Sequence, residues 1–310
     1  MKVFCHVPRE NWFCDRYGEE FKKYSSHDVS FTHLYPETQV IWLLASWCWN
    51  QIDTQFLKDR KVVCTIHHEV PWKFDEARKS NFLARDKFVD VYHVPCEKTK
   101  NFIEQHTGKP VKILTYWCNE KLFKPHNKIE CKKQFGIPLD KFIVGSFQRD
   151  TEGHDLKTPK LEKGPDIFID YVSKVRDSGK DVHVLLNGWR RNYVINELEK
   201  LKIPYTYHEL PPMEDVVKMY SALDMYIVGS RVEGGPQSII ECGMTNTPIV
   251  STDVGIAQTF LSADCIFDPA NYNVYYPTKE DEEHLKSNVN NFLIEKQVSK
   301  YDLFFEELLK

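Results

Sequence analysis

Val228-Gly229-Ser230-Arg231-Val232-Glu233-Gly234-Gly235-Pro236-Gln237-Ser238-Ile239-Ile240-Glu241-Cys242-Gly243 reads as the end of a strand, a glycine-containing loop and the start of a helix. The apolar run 225–228 stops at Gly229, and Pro236 suits a first helical turn, where its missing N–H is not needed. Gly234 and Gly235 carry no side chain, so backbone N–H groups there can approach a ligand closely. The amides of the helix start then face a site at the carboxyl end of a strand, an arrangement suited to a diphosphate. Glu233 on the loop and Glu241 on the helix flank that site, and a carboxylate accepts hydrogen bonds from sugar hydroxyls, often two at once. A purely structural reading competes. A Glu near a helix start is stabilised by the macrodipole alone, and Gly-Gly-Pro can simply shape a turn.

Outward from this stretch, short apolar runs alternate with longer amphipathic ones. Strands are expected at 2–6, 40–45, 61–67, 89–94 and 111–114, and in a second series at 142–147, 182–187, 205–208, 225–228, 249–251 and 265–267. Several are rich in Val and Ile without strict alternation, as strands buried on both faces of a parallel sheet are. Helical patterns fall between them at 97–106, 166–177, 192–200 and 213–223. The fold class expected is therefore α/β, with doubly wound layers. The stretch 117–128 carries Asn119, Pro125, His126 and Asn127 without periodicity and reads as an inter-domain linker. This gives an N-terminal domain over 1–126, a second domain over 127–275, and a helical tail over 276–310 that can pack back on the first lobe. The segment 149–163 reads as a long polar loop.

The bulk properties bound the function. The chain of 310 residues has 42% hydrophobic and 28% charged residues and a net charge of −4, so no global field favours nucleic acid. The N-terminal part leans basic and the remainder acidic, without a dense basic cluster. The nine cysteines are scattered with no CxxC pair, which argues against a disulfide framework or a structural zinc site. Cys5, Cys64 and Cys242 sit in apolar contexts as small core residues. The first residues turn polar too early for a signal peptide. The apolar run 40–49 is far shorter than the ~20 residues that span a bilayer. A cytoplasmic protein is expected, with room for peripheral membrane contact.

The stretch 228–243 resembles the Glu-x7-Glu signature of glycosyltransferase family 4, in the form Glu-Gly-Gly-Pro…Glu. Other pieces follow in that family's order. Lys163-Gly164-Pro165-Asp166 resembles its Lys-Gly-x-Asp, and Gly145-Ser146-Phe147-Gln148-Arg149 resembles the preceding glycine-containing loop. Asn187-Gly188, Ala222-Leu223-Asp224 and Thr252-Asp253-Val254-Gly255 resemble further landmarks. In the N-terminal half, Thr65-Ile66-His67 resembles the family's Thr-x-His strand end. The stretch 90–95 and Asn119…Phe123-Lys124-Pro125 resemble two later landmarks. The glycine-rich loop usual after the first strand is replaced by Val7-Pro8-Arg9-Glu10-Asn11-Trp12-Phe13-Cys14-Asp15-Arg16-Tyr17-Gly18.

The resemblance implies a GT-B fold of two Rossmann-like doubly wound lobes with a cleft between them. It implies a retaining glycosyltransferase that takes a sugar from a nucleotide diphosphate donor, UDP- or GDP-linked, to a glycan, lipid-linked or other hydroxyl acceptor. By the same resemblance Glu241 binds the donor ribose, and Glu233 sits against the donor sugar. Gly234, Gly235 and the amides of Gln237 and Ser238 face the diphosphate. Arg149 and Lys163 neutralise the phosphates, with Lys157 and Lys160 as rivals for that role. His67 lies near donor sugar and acceptor, with His68 competing. Trp12, Asp15 and Arg16, expected in the loop after the first strand, are placed where an acceptor docks. No Asp-x-Asp occurs in the chain, so helix amides and basic side chains are expected to do the work of a metal, and no cofactor is expected. Two other classes compete: a non-catalytic nucleotide-sugar-binding module on the same scaffold, and a nucleotide-sugar epimerase of related fold. A dehydrogenase is disfavoured because no GxGxxG follows the first strand.

Overall fold

In this computed structural model, which describes residues 1–10 and 13–310, the apolar runs become short parallel strands covered on both faces. The chain divides into two units, Met1–Trp117 with Phe292–Lys310, and Cys118–Asn291. The first holds β1 (Lys2–His6), α1 (Phe13–Tyr24), β2 (Asp28–Ser30), β3 (Val40–Leu43), α2 (Thr54–Lys58), β4 (Lys61–Thr65), α3 (Glu76–Asp86), β5 (Val91–Val94), α4 (Glu97–Glu104) and β6 (Val111–Ile113). Its six strands pair in parallel in the order β2-β1-β3-β4-β5-β6. All four residues of β3, Val-Ile-Trp-Leu, are buried, because helices cover both sides of a parallel sheet and no face is left to be polar. Cys14, Tyr17, Gly18 and Phe21 form the buried stripe of α1, at the i, i+3, i+4, i+7 spacing of a helix. Asp15 and Arg16 therefore sit in the first turn of α1, which corrects the expectation that they lie in a loop. Trp12 lies outside the described residues.

The second unit holds α5 (Lys128–Gln134), β7 (Phe142–Ser146), β8 (Thr151–Glu152), β9 (Thr158–Pro159), α6 (Pro165–Asp177), β10 (Val182–Asn187), α7 (Asn192–Leu201), β11 (Tyr205–His208), α8 (Met213–Ala222), β12 (Met225–Val228), α9 (Gln237–Thr245), β13 (Ile249–Thr252), α10 (Ala257–Phe260), β14 (Ile266–Phe267) and α11 (Lys279–Val289). Its main sheet is parallel in the order β11-β10-β7-β12-β13-β14. Counted within the unit, that is the doubly wound order 3-2-1-4-5-6, whose direction reverses between its first and fourth strands, here β7 and β12. Ligands of such sheets bind in the crevice outside the carboxyl ends at that reversal. The stretch 149–163 is less open than expected, since β8 and β9 pair as a small antiparallel hairpin inside it.

One buried ion pair holds the strand ends together. Arg191 is 1% exposed. Its Nε donates to the Asp150 carboxylate, its Nη1 to the carbonyls of Ser146 and Asn187, and its Nη2 to Ser146 Oγ at 3.3 Å. The last residues of β7 and β10 are thereby tied to the foot of the hairpin. Such a pair is a poor net stabiliser, but removing one partner costs about 3–5 kcal/mol, because the other charge is left buried alone.

The tail forms two helices that go to different units. α11 opens with a capping box between Thr278 and Asp281 and belongs to the second unit. α12 (Ile294–Glu307) belongs to the first, where Tyr301 is fully buried and its hydroxyl contacts His93 Nε2 and the Leu114 carbonyl, both at 3.0 Å. Asp302 accepts from Ser25 Oγ, from the Ser26 amide at 2.7 Å and from Ser26 Oγ at 2.8 Å. This carboxylate carries three hydrogen bonds at a site only 7% exposed. Asp302→Ala is therefore expected to lower the stability of the first unit by about 2–4 kcal/mol, read as faster hydrogen exchange in β1 and α1. Glu307→Ala, exposed on the same helix, is the control and should change it by less than about 0.5 kcal/mol. Equal effects would show that α12 is held by its apolar face alone.

Candidate functional site

Two loops meet outside the carboxyl ends of β7 and β12. The first runs from Phe147 through the hairpin to Lys163, and the second from Gly229 to Pro236. They are joined by backbone. Gly164 has φ +56, and a Cβ there would lie 1.8 Å from the Gly229 carbonyl oxygen. The Glu162 carbonyl accepts the amides of Arg231 and Val232 at 2.9 and 3.1 Å. On the other flank, a Cβ on Gly255 would lie 2.4 Å from the Gly234 carbonyl oxygen. The glycine loop is thus clasped from both sides at positions that exclude a side chain.

This clasp delivers the side chains. Lys163 Nζ is paired with Glu233 Oε1, the two side chains 17% and 10% exposed. Ser230 Oγ lies 3.4 Å from the same carboxylate oxygen and 3.3 Å from Gln148 Oε1. Gln148 Nε2 in turn donates to the Lys163 carbonyl at 2.7 Å. Arg231 grips Asp166 with two hydrogen bonds of 2.7 and 2.6 Å and also donates to the Leu161 carbonyl. Its charge holds the Asp166 carboxyl below the ordinary range. The Asp of the Lys-Gly-x-Asp stretch thus holds the loop through Arg231.

Lys160 lies in the same neighbourhood, 3.9 Å from Glu162. Burial pushes its ammonium down to about 8, and the Lys163 charge adds to the effect. Arg149 donates from Nε to the Thr151 carbonyl at 2.9 Å and lies 5.2 Å over the Trp189 ring. Burial, then the Arg190 charge, lowers its pKa.

α9 begins at Gln237 after Pro236, and no side chain caps it, so its first-turn amides have no side-chain acceptor. Gln237 Nε2 is buried without a hydrogen-bond partner among the described residues. Ser238 follows it on the first turn. One turn on, Glu241 is 8% exposed and accepts from the Tyr220 hydroxyl at 2.7 Å. Burial and this carboxylate push the Tyr220 hydroxyl well up. Phe147 packs on Tyr220 at 4.8 Å. Arg149, Lys163, Glu233, Gly234, Gly235, Gln237, Ser238 and Glu241 therefore belong to one end of one sheet.

Sequence reasoning missed Tyr220, Gln148 and Ser230. Their types carry no chemical signal, and only the tertiary fold brings them to the carboxylates.

The remaining predicted residues lie in the first unit. His67 follows β4 and is half-buried. Its Nε2 faces the Leu44 carbonyl at 2.8 Å and its Nδ1 the Tyr116 hydroxyl. A carbonyl only accepts, so Nε2 carries the proton. Cys14 Sγ lies 3.3 Å from that nitrogen. The Asp15 carboxylate accepts the amides of Arg9 and Glu10, both at 2.8 Å, and so ties the loop after β1 to α1.

Residues 156–275 match the family described as Glycosyl transferases group 1. The two Rossmann-like lobes with parallel sheets have the fold of the GT-B glycosyltransferases. Alr3699/HepE of Anabaena, solved in complex with UDP-glucose, superposes with a TM-score of 0.71 at 15% identity, covering 100% of this chain and 99% of that one. Sucrose-phosphate synthase of Thermosynechococcus elongatus gives a TM-score of 0.69 at 17% identity, over 98% of this chain and 80% of that one. Among curated proteins, D-inositol 3-phosphate glycosyltransferase of Corynebacterium diphtheriae is 25% identical over 253 residues, 74% of this chain and 55% of its own length. The chain thus spans about half the length of the curated relatives it matches.

The depressed Lys160 gives a pH test. An anion bound beside it favours the protonated ammonium, so above about pH 8 binding must draw a proton from solution. Affinity for pyrophosphate as an anionic probe, measured by calorimetry, is expected to fall as pH rises through 8, by up to about tenfold per unit. Lys160→Met should flatten that dependence between pH 7 and 10. An unchanged slope would remove Lys160 from the site.

Proposed function

We propose that this protein is a retaining glycosyltransferase that moves a sugar from a UDP- or GDP-linked donor to a hydroxyl of a glycan or lipid-linked acceptor, without a divalent metal. The observation that carries this reading is the meeting of the Lys163–Glu233 pair with the uncapped start of α9 at the reversal of the second sheet. An anion arriving there meets backbone amides, the donor Nε2 of Gln237, and the cations Lys163, Lys160 and Arg149. Those groups can take up the negative charge that grows on a nucleotide diphosphate leaving group. Arg149 suits two-pronged phosphate contact, and Lys163 acts as a point charge. With the phosphates in place, Lys163 has a second acceptor, and Glu233 is turned toward the sugar.

In this reading Glu241, steadied by Tyr220, receives the ribose hydroxyls. Glu233 lies nearer the transferred sugar, where positive charge develops as the glycosidic bond breaks, and its contacts strengthen in the transition state. His67 is assigned to the sugar and acceptor side, its ring oriented by Leu44 and Tyr116. Asp15 and Arg16, in the first turn of α1, are assigned to the acceptor. The similarity to a protein solved with UDP-glucose supports the nucleotide-sugar donor. The fold shared with glycosyltransferases supports transfer over simple binding.

The roles of the two glutamates separate kinetically. Glu241→Gln should raise donor KM and leave kcat comparatively unchanged, because the ribose does not react. Glu233→Gln should lower kcat by roughly one to two powers of ten, the worth of one charge-assisted hydrogen bond. Donor-saturation kinetics read both. Two variants affected only in KM would reverse the assignment, and two fully active variants would remove the site.

Turnover is also expected to survive EDTA, and NMR of the product's anomeric proton should show retention. A strict Mg²⁺ or Mn²⁺ requirement would refute metal independence, and inversion would refute the stereochemical assignment.

A further inference from the structure

A second concavity lies in the same unit, outside the set of residues assigned to the donor. It measures about 340 Å³ and is walled by Leu156 of the hairpin, Trp189 and Arg190 after β10, Asn192 of α7, and Tyr207 and Glu209 at the end of β11. That volume falls at the small end of ligand pockets. Trp189 leaves 41% of its surface exposed and Leu156 leaves 42%, which is unusual for large apolar side chains lining one hollow.

The wall is held in place with some strain. Leu156 and Arg190 are non-glycine residues in the left-handed region, at φ 53 and 55, and Leu210 beside Glu209 has φ 47. Each such residue costs on the order of 1 kcal/mol or more and persists only where its surroundings fix it. For Arg190 those surroundings are visible. Its carbonyl accepts the amides of Asp150 and Thr151 at 3.3 and 3.1 Å, and its Nη1 donates to the Gly153 carbonyl at 3.1 Å. Its guanidinium lies 4.4 Å over the Trp189 ring. Its Nε is buried and has no hydrogen-bond partner among the described residues.

We infer that this hollow is a saccharide subsite, separate from the donor site. A sugar ring presents an apolar C–H face and a rim of hydroxyls. The exposed part of the indole and the Leu156 side chain match the first. The Asn192 amide and the Glu209 carboxylate match the second, an amide that both donates and accepts and an acceptor set around one apolar surface. A phosphate fits less well, because Glu209 faces the same space. The size suits one or two sugar units of a longer chain. The assignment does not depend on the transferase reading, since it concerns binding alone.

Saturation-transfer NMR on the full chain tests it with four neutral probes: maltotriose, cellotriose, mannotriose and chitotriose, each with and without excess UDP. Transfer is expected to at least one trisaccharide, unaffected by UDP. Trp189→Ala should weaken it roughly tenfold. Ile195→Trp, which fills the hollow from α7, should abolish it, with thermal melting and the UDP response as in the wild type. Ile195→Trp decides the matter if Trp189→Ala does not fold. No transfer to any of the four probes would overturn the inference, as would transfer that survives Ile195→Trp or is displaced by UDP. A response to inorganic phosphate alone would overturn it as well.

Discussion

Two backbones touch where a side chain would have to be, and most of the second unit's site depends on it. Gly229 places its carbonyl against Gly164 so closely that any Cβ at 164 would displace main chain rather than a flexible side-chain end. The φ of +56 at Gly164 adds a left-handed turn that an L side chain resists. This contact lets the loop after β12 lie against the start of α6, just before which the Glu162 carbonyl accepts the amides of Arg231 and Val232. It also sets Lys163 and Glu233, 70 positions apart in the chain, side by side. A substitution at Gly164 would separate the cations of one loop from the carboxylate of the other, so the pairing is a consequence of a packing constraint as much as of charge.

The charges near this end of the sheet fall into two kinds. Arg191 with Asp150 and Arg231 with Asp166 are closed pairs, each cation also spent on main-chain carbonyls. They fix strand ends and loops. Lys160, Lys163 and Arg149 are crowded cations, and the crowding registers in Lys160 and Arg149, whose pKa values fall through burial and then through a like-charged neighbour. A cluster in that condition is stabilised by any anion that enters it. Rigidity and receptivity are thus divided between different residues, and the closed pairs keep the crowded ones from relaxing apart.

What was legible in the sequence follows the range of the interactions. The runs 2–6, 182–187, 205–208 and 225–228 coincide with β1, β10, β11 and β12; β10 and β12 are buried throughout and so must be largely apolar, whereas β11, at the sheet edge, is only half-buried. β2 left no trace, since Asp28-Val29-Ser30 has one apolar residue and pairs only at the sheet edge. α1 was obscured because Asp15, Arg16, Glu19 and Glu20 surround its buried stripe. The hairpin β8–β9, two residues a side, is held by Arg190 and Arg191 rather than by its own pattern. In the site, Glu233, Glu241 and the glycines could be named from their spacing. The partners that orient them could not: Tyr220 lies on the preceding helix, and Gln148 and Ser230 on separate loops. Nothing in a single sequence marks which of many polar residues the fold brings to a carboxylate.

The first unit shows how burial sorts chemically equal residues. His93 and His67 both stand at ends of neighbouring parallel strands. His93 is fully buried between Thr65 Oγ1, at 2.8 Å, and the Leu114 carbonyl, at 2.9 Å. Burial pushes its pKa down to about 4, so it is neutral at any ordinary pH. Trp42 Nε1 donates to the same Thr65 hydroxyl at 2.8 Å, and Tyr17 reaches Tyr301 at 3.0 Å. The result is a continuous polar chain through an aromatic core, with α12 as its last member. A satisfied network of this kind specifies one arrangement and resists change, because each lost link strands a buried partner. His67, half-buried, has a different freedom. Its Tyr116 partner is a hydroxyl, which can donate or accept, so that contact does not fix the role of Nδ1 as the Leu44 carbonyl fixes that of Nε2. Two histidines of equal intrinsic chemistry are thereby separated by solvent access and by the kind of oxygen each one faces: one is locked into the scaffold, and the other stands partly open to solvent.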